Sequence, residues 1–357
     1  MTTWDTMWDT LGGRGAVGVW LVGARGSTGT TTIVGALALR AGLVRPTGCV
    51  TARRDFASAS LPRFDELVFG GHDIARTPLA ERAERLADEG VVPPGLPRLV
   101  RDGLLAAEEE VRPGATGADD DRDRPSGENG RDRKNRGTQE DREDREDQEE
   151  TIRRLTGDLL SFRRRLGLER VVVIDLAPPG PAAPPHPAHL SSSTLRRALA
   201  AGERILPSGA LYACAALRAD CSYVDLTTPP GRRLPALAEL ASERGVPYVA
   251  GDGATGARAH HVRRPARERV SAEDFPGART ARRSDRWSRE PAPAASLVID
   301  LARLVALADR AGLHGPVPEP ALLFDGTAPD ASADRAGPPG GRYAALVAWA
   351  RGLSVPV

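Results

Sequence analysis

Residues 17–29 read Val17-Gly18-Val19-Trp20-Leu21-Val22-Gly23-Ala24-Arg25-Gly26-Ser27-Thr28-Gly29. A short apolar run leads into a turn with glycine at every third position, and small and apolar residues typical of a helix follow to Arg40. Such glycines let the backbone approach a phosphate, and the start of a helix offers unpaired N–H groups and a positive dipole end. The stretch therefore predicts a nucleotide-binding βα unit, although a tight turn without a ligand has the same spacing.

Composition excludes several classes of protein. The 357 residues suffice for two domains or for one large α/β domain with an insertion. A net charge of +1 gives no field that would attract a polyanion, so we expect neither nucleic acid nor a membrane surface as partner. Three cysteines are too few for a disulfide framework or a zinc cluster, and no metal site is expected. We expect a cytoplasmic protein.

Composition also divides the chain into five segments. Residues 16–110 and 151–256 alternate short apolar runs with helical patterns and predict the two halves of a dinucleotide-binding domain with a doubly wound parallel sheet. Residues 112–150 alternate acidic residues with arginine and contain almost no apolar side chains, so we expect a disordered charged insertion. Residues 257–290 are arginine-rich and predicted to be irregular. Residues 291–357 are predicted to form helices that pack back on the dinucleotide-binding domain.

The region after the first helix bears on the choice of cofactor. Short apolar runs predict a second strand at Gly48–Thr51 and a third at Leu67–Phe69. A ribose-binding carboxylate is expected roughly 20 residues after the Gly-rich turn, at the end of the second strand. The first acid there is Asp55, preceded by Arg53 and Arg54. Arginines at this place would favour NADP if they held a 2′-phosphate, whereas as solvated loop residues they carry no such meaning.

Four stretches of the chain follow one another in an order and at a spacing typical of one family. They are Val19–Ser27 with Thr30–Gly35; Phe69-Gly70-Gly71-His72-Asp73-Ile74; Ala210–Ala213 through Cys221–Asp225 to Asp252-Gly253-Ala254-Thr255-Gly256; and Leu297–Leu304. Together they resemble the inositol-3-phosphate synthases (myo-inositol-1-phosphate synthases), the NAD-dependent isomerases that convert glucose 6-phosphate to myo-inositol 3-phosphate. The likeness covers most of the chain outside 112–150 and 257–290.

The resemblance implies a Rossmann-like NAD-binding domain and a set of cofactor-binding residues. These are Gly23, Ala24, Arg25, Gly26, Ser27, Thr28 and Gly29 in the turn, together with Asp73, Asp175 and Asp252 around the nucleotide. It offers Thr255 and Glu290 as candidate catalytic positions, a sugar phosphate as substrate, and a role in inositol and phospholipid biosynthesis. The family assembles as tetramers largely through its catalytic domain; because that domain is reduced here to the irregular segment 257–290, we expect a monomer or dimer.

The lysines that serve the family's chemistry are missing from this chain. Its one lysine is Lys134, and residues 257–290 contain neither lysine nor asparagine. Ala254 and Asp325 stand at positions where the resemblance implies lysines. Arginine binds phosphate but is always protonated and cannot relay protons. Losing one placed electrostatic donor typically costs ~10²–10³-fold in rate, so we expect little or no synthase activity.

Three interpretations of function remain open. The chain is a catalytically impaired synthase; or it is a non-catalytic NAD-binding sensor or partner subunit; or it is a different NAD(P)-linked oxidoreductase. The third interpretation would need other proton-transfer groups, and its candidates are His186, His189, His260 and His261. A histidine in a Pro-rich loop such as 184–189 is more often only a loop residue.

Overall fold

A computed structural model describes residues 15–115, 147–178, 184–226, 234–250, 272–274, 278–280, 291–324 and 339–353. The strands are β1 (Val17–Val22), β2 (Leu67–Asp73), β3 (Val111–Pro113), β4 (Arg170–Asp175), β5 (Ser222–Asp225), β6 (Pro247–Ala250), β7 (Ala272–Asp274), β8 (Ala278–Thr280) and β9 (Gly315–Pro316). The helices are α1 (Ser27–Arg40), α2 (Leu79–Asp88), α3 (Leu96–Leu99), α4 (Arg101–Glu109), α5 (Gln148–Arg165), α6 (Ser192–Ala200), α7 (Ser208–Arg218), α8 (Pro235–Arg244), α9 (Pro291–Arg310) and α10 (Pro339–Gly352). Within these ranges, every helix is too short or too polar to cross a membrane.

Seven strands form one parallel sheet in the order β3-β2-β1-β4-β5-β6-β9. All residues of β1 and β2 are buried, as expected for parallel strands that helices cover on both faces. The chain winds outward from β1 to β3 and then returns to the other side of β1 at β4. The predicted doubly wound α/β fold is therefore confirmed. The strand order reverses between β1 and β4, the point where ligands bind in such sheets.

Successive side chains of β1 point to opposite faces of the sheet and belong to two separate hydrophobic cores. Val19 and Leu21 pack with apolar residues of α1, α2 and α9 on one face of the sheet. Trp20 and Val22 pack with α5, α7 and α8 on the other face. Because helices cover both faces, a ligand can approach the sheet at the carboxyl ends of its strands.

Helix α9 holds the segment between α1 and β2 by a buried carboxylate. Asp300 accepts hydrogen bonds from the backbone N–H groups of Val50, at 2.6 Å, and Thr51, at 2.9 Å. Those bonds cap a short 3₁₀ turn at Val50–Ala52. The predicted strand at Gly48–Thr51 is therefore wrong, since its N–H groups bond to a side chain of α9 instead of to a neighbouring strand. The predicted strand at Leu67–Phe69 exists, continues to Asp73 and is the second strand of the chain.

Two predicted irregular segments need correction at particular residues. Residues 112–113 belong to β3, which pairs with β2, and α5 begins at Gln148 with Asp147 as its N-cap, so the charged segment is narrower than 112–150. Residues 116–146 lie outside the described ranges. Within 257–290, β7 and β8 form an antiparallel pair. Strands of three residues are too short for a hydrophobic period to reveal them.

Candidate nucleotide-binding site

The Gly-rich turn connects β1 to α1 at the point where the strand order reverses. Gly23 adopts a φ of +86°, which favours glycine, and its N–H donates to the carbonyl oxygen of His72 at 2.8 Å. The N–H of Gly26 returns to the carbonyl oxygen of Gly23 at 3.0 Å and closes the turn. Gly26 is exposed and is the N-cap of α1, without a side-chain hydrogen bond to the helix. The first N–H groups of α1 thus open outward and carry the positive end of its dipole.

Two further glycines allow the turn, α1 and β2 to lie unusually close together. A Cβ on Gly29 would lie 2.6 Å from the carbonyl oxygens of Gly23 and Ala24. A Cβ on Gly71 would lie 2.2 Å from the carbonyl oxygen of Leu21 and 2.7 Å from the Cβ of Ala24. This close packing leaves backbone N–H groups and the Ser27 and Thr28 hydroxyls at the edge. Such a donor set fits a diphosphate.

Asp73 ends β2 beside the turn and is buried. Its Oδ2 accepts the backbone N–H of Arg25 at 2.6 Å, and its Oδ1 accepts that of Ala75 at 2.7 Å. An acid at the end of the second strand is the ribose-binding position of dinucleotide folds. Counting residues from the turn pointed instead to Asp55, because a long segment with 3₁₀ turns precedes the true second strand.

The residues first considered for ribose binding have other partners. The guanidinium of Arg53 lies over the ring of Tyr343, 5.2 Å from its centroid. Asp55 accepts the Tyr343 hydroxyl at 2.6 Å. Both residues therefore contact α10, and Arg54 lies in the same 3₁₀ turn as Asp55. Arg53 and Asp55 thus have partners within the protein, and the bearing of this region on the choice of cofactor stays a prediction.

The guanidinium of Arg25 is bound within the protein and is not free to bind a ligand. Its Nη2 and Nε donate to Glu108 Oε1 at 2.5 and 3.2 Å, and its Nη1 donates to the carbonyl oxygen of Ala75 at 2.8 Å. Glu108 also accepts the N–H of Leu79, the first residue of α2, at 2.8 Å. Arg25 therefore ties the turn to α4 and α2, while its backbone N–H serves Asp73. Sequence reasoning missed Glu108, which lies 83 residues away from Arg25.

A second arginine approaches the turn from α2. Arg82 Nη2 donates to Ser27 Oγ at 2.5 Å. Ser27 is the first residue of α1, so this guanidinium lies beside the helix terminus that the turn presents. Arg82 also pairs with Glu89, whose Oε1 lies 3.5 Å from Arg82 Nη1. Sequence reasoning missed Arg82 because no local pattern in α2 distinguishes it from its neighbours Arg85 and Glu84.

The ends of β4 and β5 present carboxylates instead of glycines. Asp175 and Asp225 are neighbours in the register of these strands. Asp175 is fully buried and accepts the N–H of Ala177 and the hydroxyl of Tyr223, each at 3.0 Å. Burial, and then the charge of Asp225, raises the pKa of Asp175 to about 7. Asp175 therefore ionises only at the cost of desolvation.

Of the remaining sequence candidates, His186 and His189 contact groups other than the turn. His186 Nε2 lies 3.4 Å from Glu203, and His189 Nε2 lies 2.9 Å from the carbonyl oxygen of Ile205. Both rings thus contact the segment that follows α6. Asp252, Thr255, Glu290, His260 and His261 lie outside the described residues. In the described ranges no group of three or more His, Cys, Asp or Glu residues could hold a metal ion.

Comparisons with known proteins agree with this fold. The chain resembles the inositol-3-phosphate synthase structure of Caenorhabditis elegans with a TM-score of 0.66 at 15% identity, over 95% of this chain and 86% of that one. It resembles a myo-inositol-1-phosphate synthase-related protein of Thermotoga maritima with a TM-score of 0.56 at 18% identity, over 96% of this chain and 100% of that one. At such identities these likenesses show the fold. No curated protein matches the sequence.

The assignment to a family depends on the sequence itself. The family model for myo-inositol-1-phosphate synthase, which describes an NAD-binding domain, matches residues 17–326. The match begins with β1, includes the Gly-rich turn, Asp73 and Asp175, and extends beyond α9. Since it spans most of the chain, this protein belongs to the myo-inositol-1-phosphate synthase family.

Proposed function

We propose that this protein binds NAD at the Gly-rich turn and is impaired in, or incapable of, the synthase reaction. The observation that carries the proposal is the turn itself, closed by Gly23 and Gly26 and open at the start of α1. The N–H groups at the start of α1 would hold the pyrophosphate, and Asp73 would face the adenosine ribose. When bound, NAD supplies an acceptor and donor of hydride.

The charges near Asp73 favour NAD over NADP. A 2′-phosphate would approach this buried carboxylate, which is unfavourable for two negative charges. The nearby guanidinium of Arg25 already pairs with Glu108 at 2.5 Å and offers little compensation. Ile74 follows Asp73 directly and is 65% exposed. It supplies an apolar surface of the kind that an adenine ring covers.

The proposed impairment follows from the charge of the second half of the edge. The synthase reaction passes through enolate and phosphate charges, which need fixed cations. The ends of β4 and β5 carry Asp175 and Asp225. The one lysine of the chain, Lys134, lies in the charged segment, outside the described residues. A site with this balance binds a cofactor but does not stabilise an oxyanion.

Two measurements test the proposal. Calorimetry with NAD and NADP should show NAD binding and weaker NADP binding; no binding of either at millimolar concentration would refute the cofactor assignment. Incubation with glucose 6-phosphate and NAD, beside an active family member as positive control, should yield little or no inositol phosphate. Turnover comparable to that control would refute the impairment.

NAD binding without turnover would favour a sensor or a partner subunit among the interpretations. Oxidation of another substrate would favour a different oxidoreductase, for which His186 and His189 are the described candidates. If the chain retains activity, its substrate is a sugar phosphate and its context inositol and phospholipid biosynthesis. We further propose a cytoplasmic monomer or dimer; a tetramer in light scattering would contradict this assembly.

A further inference from the structure

The contact between Arg82 and Ser27 joins a partly buried cation to the proposed pyrophosphate site. Arg82 belongs to α2 and its side chain is 23% exposed, yet Nη2 reaches Ser27 Oγ at 2.5 Å across the two helices. We propose that Arg82, acting with the Ser27 hydroxyl, is the side-chain cation that holds the pyrophosphate of the cofactor. This inference rests on the proposed function and adds to it a residue that determines affinity.

The hydrogen bond fixes what the Ser27 hydroxyl can do. A serine hydroxyl has one proton to donate and two lone pairs that accept. Arg82 occupies one lone pair, so the proton of Ser27 is directed elsewhere, and Ser27 is the first residue of α1. An anion at the start of this helix would accept that proton together with the backbone N–H groups. Arg82 thus orients a donor and also supplies positive charge.

Arg82 is also the better of the two nearby arginines for this role. Arg25 gives two N–H donors to Glu108 and one to Ala75, so its charge and its donors are used within the protein. The acidic partner of Arg82 is Glu89, at 3.5 Å with a side chain 54% exposed. Water screens such a pair strongly, and its contribution is small. The charge of Arg82 therefore remains available to a ligand.

The position of Arg82 is set by a network that includes the turn. Glu108 Oε2 accepts the N–H of Leu79, where α2 begins, while Oε1 accepts from Arg25 in the turn. The first turn of α2, which carries Arg82, is therefore fixed relative to residues 23–29. A preorganised guanidinium loses less side-chain entropy when it binds an anion than one on a free surface helix.

The same geometry distinguishes the pyrophosphate from a 2′-phosphate as the bound group. Arg82 contacts the residue that begins α1, where dinucleotide folds hold the pyrophosphate. The ribose position lies instead at Asp73, at the end of β2. NAD and NADP share the pyrophosphate, so loss of Arg82 should weaken both to the same degree.

Calorimetry with NAD, NADP and adenosine on the full chain tests this inference. Arg82→Gln should weaken NAD and NADP about 10- to 100-fold, the usual value of a hydrogen bond to a charged group, and leave adenosine unchanged. Arg82→Lys should recover part of the loss, and Ser27→Ala should weaken NAD by a smaller factor. Arg85→Gln is the matched control on α2, since Arg85 pairs with Glu81 in solvent and should not alter binding. Thermal melts verify that each variant folds.

Each outcome decides the inference. Unchanged NAD affinity in folded Arg82→Gln would overturn it and leave the proposed function intact. An equal loss of adenosine and NAD would assign Arg82 a purely structural role, and a loss confined to NADP would place it at the ribose. If the wild-type protein binds no NAD, the proposed function fails, and this inference fails with it.

Discussion

The two halves of the sheet's carboxyl edge are built in opposite ways. At β1 and β2, the turn contains glycines, and the Asp73 carboxylate is satisfied by two backbone N–H groups. At β4 and β5, Asp175 and Asp225 stand side by side, and Asp175 accepts hydrogen bonds from the neutral Ala177 N–H and Tyr223 hydroxyl. One half offers donors to an anion, whereas the other already holds acidic groups of its own.

Under the proposed function, this difference would explain how a family fold keeps a cofactor site without its chemistry. The proposed phosphate binding depends on backbone N–H groups, glycines and a few local side chains of the first half. Stabilising an enolate would depend on cations, and the described ends of β4 and β5 carry Asp175 and Asp225. The two functions use separate residues and therefore respond separately to substitution.

Substitution of Gly71 should have the largest effect on the first half. In Gly71→Ala the new Cβ would lie 2.2 Å from the Leu21 carbonyl oxygen and 2.7 Å from the Ala24 Cβ. Overpacking costs about 1–3 kcal/mol where neighbours can yield, and a backbone oxygen of a central strand cannot, so we expect a larger loss. The measurement is the free energy of unfolding by denaturant. Gly157→Ala in α5, with nothing within 4 Å, is the control and should not destabilise; equal stabilities would contradict the close packing.

At the second half, Asp175→Asn should stabilise the protein at neutral pH. The folded pKa of Asp175, about 7, exceeds the ordinary value of 3.8, so the folded state binds more protons than the unfolded chain between these values. Wild-type stability should therefore fall as pH rises from about 4 to 7, by an amount on the order of 2–4 kcal/mol. The variant should lack this part of the slope. Denaturant unfolding at pH 4 and pH 8 measures this pH dependence of the free energy of unfolding. The same dependence in both proteins would refute the raised pKa of Asp175.

The sequence predicted the parts of the molecule that depend on local patterns. The apolar run 17–22 and the glycines after it identify β1 and the turn, because both are determined by neighbouring residues. Family likeness predicts the ribose-binding acid at Asp73, whereas counting residues pointed to the region of Asp55. Counting did not locate the end of the second strand, because the chain between α1 and β2 is held by Asp300, about 250 positions away.

Long-range side-chain pairing explains the rest of what the sequence did not predict. Family likeness predicts Arg25 as a cofactor-binding residue of the turn, and nothing in the sequence indicated that its guanidinium pairs with Glu108. Arg82 carried no signal in the sequence, and only the packing of α2 against α1 brings it to Ser27. A charged residue's partner depends on tertiary structure, which neither periodicity nor spacing encodes.

A smaller loss of stability should follow from breaking the hydrogen bonds that Glu108 accepts from Arg25 and from the Leu79 N–H. Glu108→Gln removes the charge that Arg25 contacts at 2.5 Å and weakens the acceptor for the Leu79 N–H. We expect a loss of about 1–2 kcal/mol in the free energy of unfolding. The matched control is Glu84→Gln, whose partner Arg98 lies 3.5 Å away on the surface and which should cost well below 1 kcal/mol. Equal losses in both variants would indicate that the first half does not depend on this ion pair.

The smallest effect should come from Asp225→Asn, which separates the two causes of the raised Asp175 pKa. Burial is the larger cause and the charge of Asp225 the second, so the variant should lower the pKa of Asp175 but leave it above 3.8. The change in stability at pH 8 should be a gain below about 1 kcal/mol. Carbon-detected NMR titration of the Asp175 carboxyl measures the shift directly, with Asp220→Asn, an exposed acid paired with Arg244, as control. A return of the Asp175 pKa to its ordinary value would mean that repulsion between the two carboxylates, and not burial, distinguishes the second half from the first.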